Sequence, residues 1–245
     1  MRLRGKRAVV TGGTSGLGQA IATMFGDEGA SFVSASRSCE VLETPPAADA
    51  PLVFDQVEAC DEESVRAFMG RVNDRWGRLD ILVTSAGMMF DGQVEHLAPA
   101  EMQAMFATNV MGTLLTVQAA LPLMRAGRGG VIIIMSSAIT GAATVGTGGY
   151  RATIAAVEAI SETLAVEVAS HGIRVNSLAA GFTTRGLSLP LIENADLWAR
   201  YESYIALRRA AELREIASNA VFLASDDAKY VVGHVLRVDG GFRWP

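Results

Sequence analysis

The chain has 245 residues, half of them hydrophobic, with 21 Lys and Arg against 26 Asp and Glu, a formal net charge of −5 and a pI near 5.3. That length and apolar content suffice for one large core, and the acidic balance argues against nucleic acid or an anionic membrane as the main partner. No uninterrupted apolar run reaches the roughly 18 residues of a membrane span. The basic start MRLRGKRAVV lacks a secretory h-region and cleavage site. Cys39 and Cys60, with no CxxC and no histidine cluster, read as reduced thiols of a cytoplasmic protein without a metal site.

Short β-branched runs alternate with helical patterns, which implies parallel strands joined by crossover helices. In chain order the sequence predicts a strand over Arg7–Thr11, a helix over Leu17–Gly26, and strands over Ser31–Ala35 and Leu52–Phe54. A helix over Glu62–Trp76, a strand over Ile81–Ser85 and a helix over Pro99–Leu123 follow. The rest is a strand over Val131–Ser136, a helix over Tyr150–Ser170, a strand over Arg174–Leu178, a helix over Leu213–Ala224 and a strand over Val235–Val238. The runs AVV, ILV and VIII are continuous, as strands buried on both faces should be. Between Ser38 and Ala50 the stretch is short and broken by Pro45-Pro46, so a loop or single turn is expected in place of a long helix. No linker or repeat divides the chain. The expectation is a single α/β domain over residues 1–245, a Rossmann-type doubly wound parallel sheet of about seven strands flanked by helices.

Directly after the first strand runs TGGTSGLG, Thr11 to Gly18, which leads into the first helix. In that context Gly12 permits a tight turn, and Gly16 and Gly18 let the backbone approach a pyrophosphate and let helix pack on strand. The helix N-terminus then offers free N–H groups to the phosphates. Further on, Ser137 stands thirteen residues before Tyr150 in the stretch Tyr150-Arg151-Ala152-Thr153-Ile154.

With these features the chain resembles the short-chain dehydrogenase/reductase family over essentially its whole length, down to VDGGF at Val238–Phe242. The resemblance implies an oxidoreductase that reduces a ketone or aldehyde, or oxidises a secondary alcohol, with a nicotinamide cofactor. Gly12, Thr14, Ser15, Gly16, Leu17 and Gly18 then form the phosphate cradle in the TGxxxGxG spacing the family uses. Ser36 and Arg37 stand at the end of the second strand, where NAD enzymes usually carry an acid. A guanidinium there can bind a 2′-phosphate bidentately, so NADP(H) is expected over NAD(H), although Ser15 stands where many NADP members carry a second base. Glu58-Ala59 aligns with the Asp-Val that meets the adenine edge, with Asp55 as a rival. Ser85, Ala86 and Gly87 follow Thr84 where the family shows Asn-Asn-Ala-Gly. In AAGFTTRG, Gly181 and Thr183 are the cofactor candidates, Ala180 replaces a proline, and Arg185 takes the usual threonine position.

By the same resemblance Asn109, Ser137 and Tyr150 match three of the four catalytic positions, and Ile154 stands where the fourth, a lysine, belongs. A tyrosine hydroxyl can protonate a developing alkoxide while a serine holds the carbonyl oxygen. The absent ammonium would have held the nicotinamide ribose and lowered the tyrosine pKa by about 1–3 units. Lys6 and Lys229 are the only lysines, and both are expected far from the site; Arg151 points round the helix, which leaves Arg185 as the best remaining cation. Taken alone, Ser137 also suits a turn, Tyr150 a half-buried core aromatic and Asn109 an ordinary helix position. The segment from Leu187 to Leu207, within a substrate lid near residues 184–210, holds Trp198, Tyr201 and Tyr204. Together with Met88, Met89 and Phe90 it suggests a bulky apolar substrate, and packing against the core or a neighbouring subunit explains the same residues. The helices over Pro99–Leu123 and Tyr150–Ser170 are candidate faces of a homodimer or homotetramer. Three functions remain open: an NADP(H)-dependent oxidoreductase, a dehydratase or isomerase on the same scaffold, and a silent cofactor-binding subunit.

Overall fold

The computed structural model describes residues 1–39, 52–141 and 143–243. Seven strands form one parallel sheet: β1 (Arg7–Thr11), β2 (Ser31–Ser36), β3 (Leu52–Gln56), β4 (Ile81–Thr84), β5 (Gly130–Ser137), β6 (Ile173–Ala180) and β7 (Val235–Val238). Their order across the sheet is β3-β2-β1-β4-β5-β6-β7. Val9 of β1 lies between Val33 of β2 and Leu82 of β4, and Ile132 of β5 lies beside Leu82 and Val175 of β6. These central strands are continuous apolar runs because helices cover both faces.

One face carries α1 (Gly16–Asp27) and α8 (Leu213–Ala224), whose Ile21, Phe25, Ile216 and Val221 pack on Val10, Val83 and Ile133. The other carries α2 (Glu62–Trp76), α4 (Gly112–Ala126) and α5 (Gly148–Val168), which bury Phe68, Val72, Val117 and Val157 against Val9, Leu82 and Ile132. A fully buried Phe or Ile side chain is worth about 1.5–3 kcal/mol, so the two layers supply most of the driving force. The ends of α2 follow from its sequence: the Asp61 carboxylate accepts from Ser64 N at 2.8 Å, and Gly77 closes the helix with φ +65. Because the chain leaves β1 in one direction and returns to β4 on the other side, a crevice opens at the C-terminal ends of those two strands.

Three features differ from the sequence expectation. First, the helix that begins with α3 (Pro99–Met105) continues without a break to Ala126, but residues Phe106–Met111 make a π turn. Gly112 N bonds to Ala107 O, five residues back, and Thr113 Oγ1 donates to Asn109 O at 2.8 Å. The full Pro99–Ala126 helix is also long and apolar enough, by length and composition, to cross a membrane. Its Leu, Val, Ala and Met reach that average although Asn, Thr, Gln and Pro interrupt every apolar run. Second, the segment after β6 folds into α6 (Leu189–Glu193) and α7 (Ala195–Ser203), the latter capped by Asn194 Oδ1 on Leu197 N. Third, β3 runs on to Gln56, so Asp55 is a strand residue, 2% exposed, paired bidentately with Arg71 of α2 at 2.9 Å and 2.9 Å. That engagement removes Asp55 as the rival for the adenine edge. The expected turn at Pro45-Pro46 lies outside the described residues.

Removing the guanidinium would strand a buried carboxylate. Arg71→Leu should lower unfolding stability by about 2–3 kcal/mol, read by urea denaturation; a change within error would show that the pair contributes nothing net.

Candidate active site

The turn after β1 is built around glycines that no other residue can replace without movement. A Cβ at Gly12 would lie 2.6 Å from Ala86 N and 2.7 Å from the Ser85 carbonyl carbon, and Gly12 has φ +67. A Cβ at Gly18 would run into the Gly12 carbonyl. The β1 turn, the first turn of α1 and the Ser85-Ala86 backbone are thus in van der Waals contact at the strand reversal. Ser15 precedes α1 without capping it, and the first turn holds no acidic residue. The N–H groups there are turned to the crevice with a partial positive charge, which is the arrangement that holds a pyrophosphate.

At the far end of the cradle Thr14 Oγ1 donates to Ser36 Oγ at 2.8 Å, and Ser36 and Ser38 hydroxyls lie 3.0 Å apart. The exposed Arg37 stands 4.0 Å from the Glu58 carboxylate. Ala59 packs under Gly112, where a Cβ would approach it to 3.2 Å. Thr14, Ser36, Arg37, Glu58 and Ala59 are therefore brought to one edge of the crevice. Hydroxyls and a guanidinium fit a phosphate on the adenosine side, and the glycine cradle fits the diphosphate. Thr84 Oγ1 at the end of β4 is buried with no partner, a free polar group on the same wall.

Farther along, Gly181 sits where a Cβ would be 2.6 Å from Asp239 Cα, so it serves the packing of β6 on the turn after β7. Thr183 is buried, and its hydroxyl donates to Arg185 O at 2.7 Å. Gly186 passes over the cradle, its Cα 3.7 Å from where a Cβ of Gly16 would be. The Arg185 side chain is exposed. Lys229 is paired with Asp226 at 3.4 Å, and Lys6 lines a cavity of about 240 Å³ at the opposite edge of the sheet with Asp80 and Gly127. Neither lysine reaches the crevice.

Ser137 is the last residue of β5, beside Ala180 of β6, and Tyr150 lies in the first turn of α5. The Ser137 hydroxyl lies beside that of Tyr150 and favours its ionised form. Burial pushes the tyrosine hydroxyl up to about 12, and the neighbouring Ser137 hydroxyl offsets only part of that. Ile154, one helical turn on, is 6% exposed and offers no charge to reverse the shift. Asn109, in the π turn, is buried: Met88 N donates to its Oδ1 at 2.8 Å, while its Nδ2 donates to Met88 O at 2.9 Å and to Thr153 Oγ1 at 2.9 Å. Gly87 lies against the same amide.

Sequence reasoning missed two groups. Thr153 closes the Asn109 contact and donates to Tyr150 O at 2.7 Å. Glu158, four residues after Ile154 and so on the same face of α5, accepts from Ser136 Oγ and from Thr140 Oγ1, while Arg151 bonds to Thr140 O. This polar set braces the turn that carries Ser137, and the i, i+4 spacing to Ile154 was the available signal. The aromatic residues of 187–207 prove to be packed among themselves. Phe182 sits 6.0, 5.3 and 5.4 Å from Trp198, Tyr201 and Phe242, with Tyr204, Ile205 and Ala138 completing the cluster.

A doubly wound parallel sheet with a glycine cradle at its strand reversal defines a dinucleotide-type α/β domain. A family model described as enoyl-(acyl carrier protein) reductase matches residues 12–243. The 3-oxoacyl-(acyl-carrier-protein) reductase of Thermotoga maritima is 33% identical over 245 residues, covering 98% of this chain and 99% of that protein. A 2,5-dichloro-2,5-cyclohexadiene-1,4-diol dehydrogenase of Sphingobium indicum is 35% identical over 248 residues, covering 98% and 97%. Among solved structures, a gluconate 5-dehydrogenase from Burkholderia cenocepacia in complex with NADP and tartrate superposes with a TM-score of 0.90 at 28% identity, covering 98% and 96%. The chain belongs to the short-chain dehydrogenase/reductase family and is an oxidoreductase of that type.

The cradle gives a direct test. Gly12→Ala combines an unfavourable positive φ, about 1–2 kcal/mol, with a clash against Ala86, so nicotinamide dinucleotide affinity should fall about ten-fold or more. Fluorescence titration reads this, and unchanged binding would place the cofactor elsewhere.

Proposed function

We propose that the protein is an NADP(H)-dependent carbonyl reductase in which Tyr150 donates the proton and Ser137 holds the substrate oxygen. The observation that carries this reading is the placing of Tyr150 beside Ser137 at the C-terminal end of β5, on the same sheet edge as the glycine cradle. NADPH supplies the hydride when bound. As a carbonyl oxygen gains charge, the serine hydroxyl steadies it and the tyrosine hydroxyl gives up its proton.

The direction follows from the proton. With the hydroxyl at about 12, Tyr150 is protonated throughout the physiological range. Reduction, which needs the acid form, has its donor ready. Oxidation of an alcohol needs tyrosinate, which at pH 7 is about one part in 10⁵ and rises ten-fold per pH unit toward 12. Ile154 stands where the family resemblance places a lysine, and among the described residues no cation acts on the tyrosine, so the protein favours reduction more strongly than a lysine-bearing relative would.

NADP(H) over NAD(H) is supported by the Thr14, Ser36, Ser38 and Arg37 cluster, by Arg37 in the place of a ribose-binding acid, and by the NADP in the gluconate 5-dehydrogenase structure. Residues near 184–210 act as the substrate lid, its aromatic cluster serving as a stiff hinge block. The half-buried Met88, Met89 and Phe90 favour an apolar ketone or aldehyde. The exposed Ala155 and Val166 on α5 support a homodimer or homotetramer through that helix.

The test is NADPH consumption with a panel of aryl and cyclic ketones. Turnover with no net change in cofactor oxidation state, or none at all with NADPH bound, would overturn the reading. The reductive rate should stay flat from pH 6 to 9 on the tyrosine's account, whereas the oxidative rate should climb about ten-fold per unit. Ile154→Lys should lower the tyrosine pKa by about 1–3 units and raise oxidation near neutrality about ten-fold or more. For cofactor choice, Arg37→Ala should raise KM for NADPH about ten-fold and leave that for NADH nearly unchanged; equal effects on both would assign Arg37 no part in phosphate recognition.

A further inference from the structure

Tyr150 is held from behind by side chains that bond to one another and to backbone, and the bonds converge on one hydroxyl. Thr153 is completely buried. Its Oγ1 donates to Tyr150 O at 2.7 Å and accepts from Asn109 Nδ2 at 2.9 Å. Asn109 is fixed in turn by two bonds to the Met88 backbone, at 2.8 and 2.9 Å. A threonine bonding back within its own helix is common; one that also receives a buried side-chain amide from another element is not. The loop after β4, the π turn and the first turn of α5 are thereby joined through a single oxygen atom.

We propose that Thr153 is the positioning residue for Tyr150, its hydroxyl locking the tyrosine-bearing turn to Asn109 and through it to the wall of the cofactor crevice. This rests on the reading of Tyr150 as proton donor. Without the hydroxyl, the second Asn109 N–H is left unpaired at a site 3% exposed, and a buried donor without an acceptor shifts until it finds one. The compensating movement falls on the first turn of α5. Ile154, the next residue, is apolar and adds no polar restraint of its own, so the tyrosine's placement depends on Thr153 and the Ser137 contact together.

Thr153→Val keeps the shape and removes the hydroxyl; Thr153→Ser keeps the hydroxyl and removes the methyl. In NADPH-dependent ketone reduction, Thr153→Val should lower kcat about ten-fold or more with KM and NADPH affinity within about two-fold of the parent, and Thr153→Ser should recover most of the loss. Hydrogen exchange of residues 148–154 in cofactor-free protein should speed up in Thr153→Val and not in Thr153→Ser. The kcat effects of Thr153→Val and Asn109→Ala should not add, since both cut one chain of bonds. An unchanged kcat in Thr153→Val overturns the positioning role, as does a loss that tracks the folded fraction in thermal melts and is not rescued by serine. A parent inert toward every ketone overturns the reading of Tyr150 as donor and the positioning role with it, so whether the parent turns over tells the two failures apart.

Discussion

The turn after β1 and the turn after β4 meet so closely that no side chain fits between them. Gly12 sits 2.6–2.7 Å, measured from a notional Cβ, from the Ser85-Ala86 backbone, and this approach sets the rest of the site. It fixes the first turn of α1 against the sheet, aims its free N–H groups into the crevice, and makes the end of β4 a wall of that crevice. The parallel sheet creates the opening by reversing strand order at this point. The glycines keep it narrow.

Chemistry on the other wall follows from the balance between burial and charge. Around Tyr150 burial is the larger effect, and the Ser137 hydroxyl returns only part of it. No cation acts on Tyr150 among the described residues: Lys6 lies at the opposite sheet edge, Lys229 is paired with Asp226, Arg151 bonds to Thr140 O and the Arg185 side chain is exposed. The polar groups that are present, Asn109, Thr153, Glu158 and Arg151, bond to one another and to backbone. They give the site shape without changing its electrostatics. An acid that keeps its proton is the outcome.

Much of the fold was legible in the sequence. β1, β7, α2 and α8 fall on the predicted residues, because continuous β-branched runs, an Asp61 cap and a Gly77 stop act locally. The cradle was legible for the same reason: its glycines are contiguous and sit between a strand and a helix. What escaped was whatever depends on contacts distant in sequence. Asp55 read as a rival to Glu58 at the adenine edge, and Arg71 engages it instead. The aromatics at 198–204 read as pocket lining or as packing alike, and it took Phe182 and Phe242, distant in sequence, to gather them into a cluster. Thr153 carried no signal, since its partner lies 44 residues away.

The π turn at Phe106–Met111 has a further consequence. A helix with one i→i+5 turn contains one residue more than an α-helix of the same rise, and each residue turns the helix by about 100°. Deleting that one residue would restore a regular α-helix of the same rise, leaving Val117, Ala120 and Met124 on the sheet and removing the turn that presents Asn109. The extra residue is therefore tied to what the turn presents, the Asn109 amide bonded to Met88 and Thr153. Shortened by one residue, this stretch would still pack on the sheet, but the crevice would lose the amide that ties its walls together.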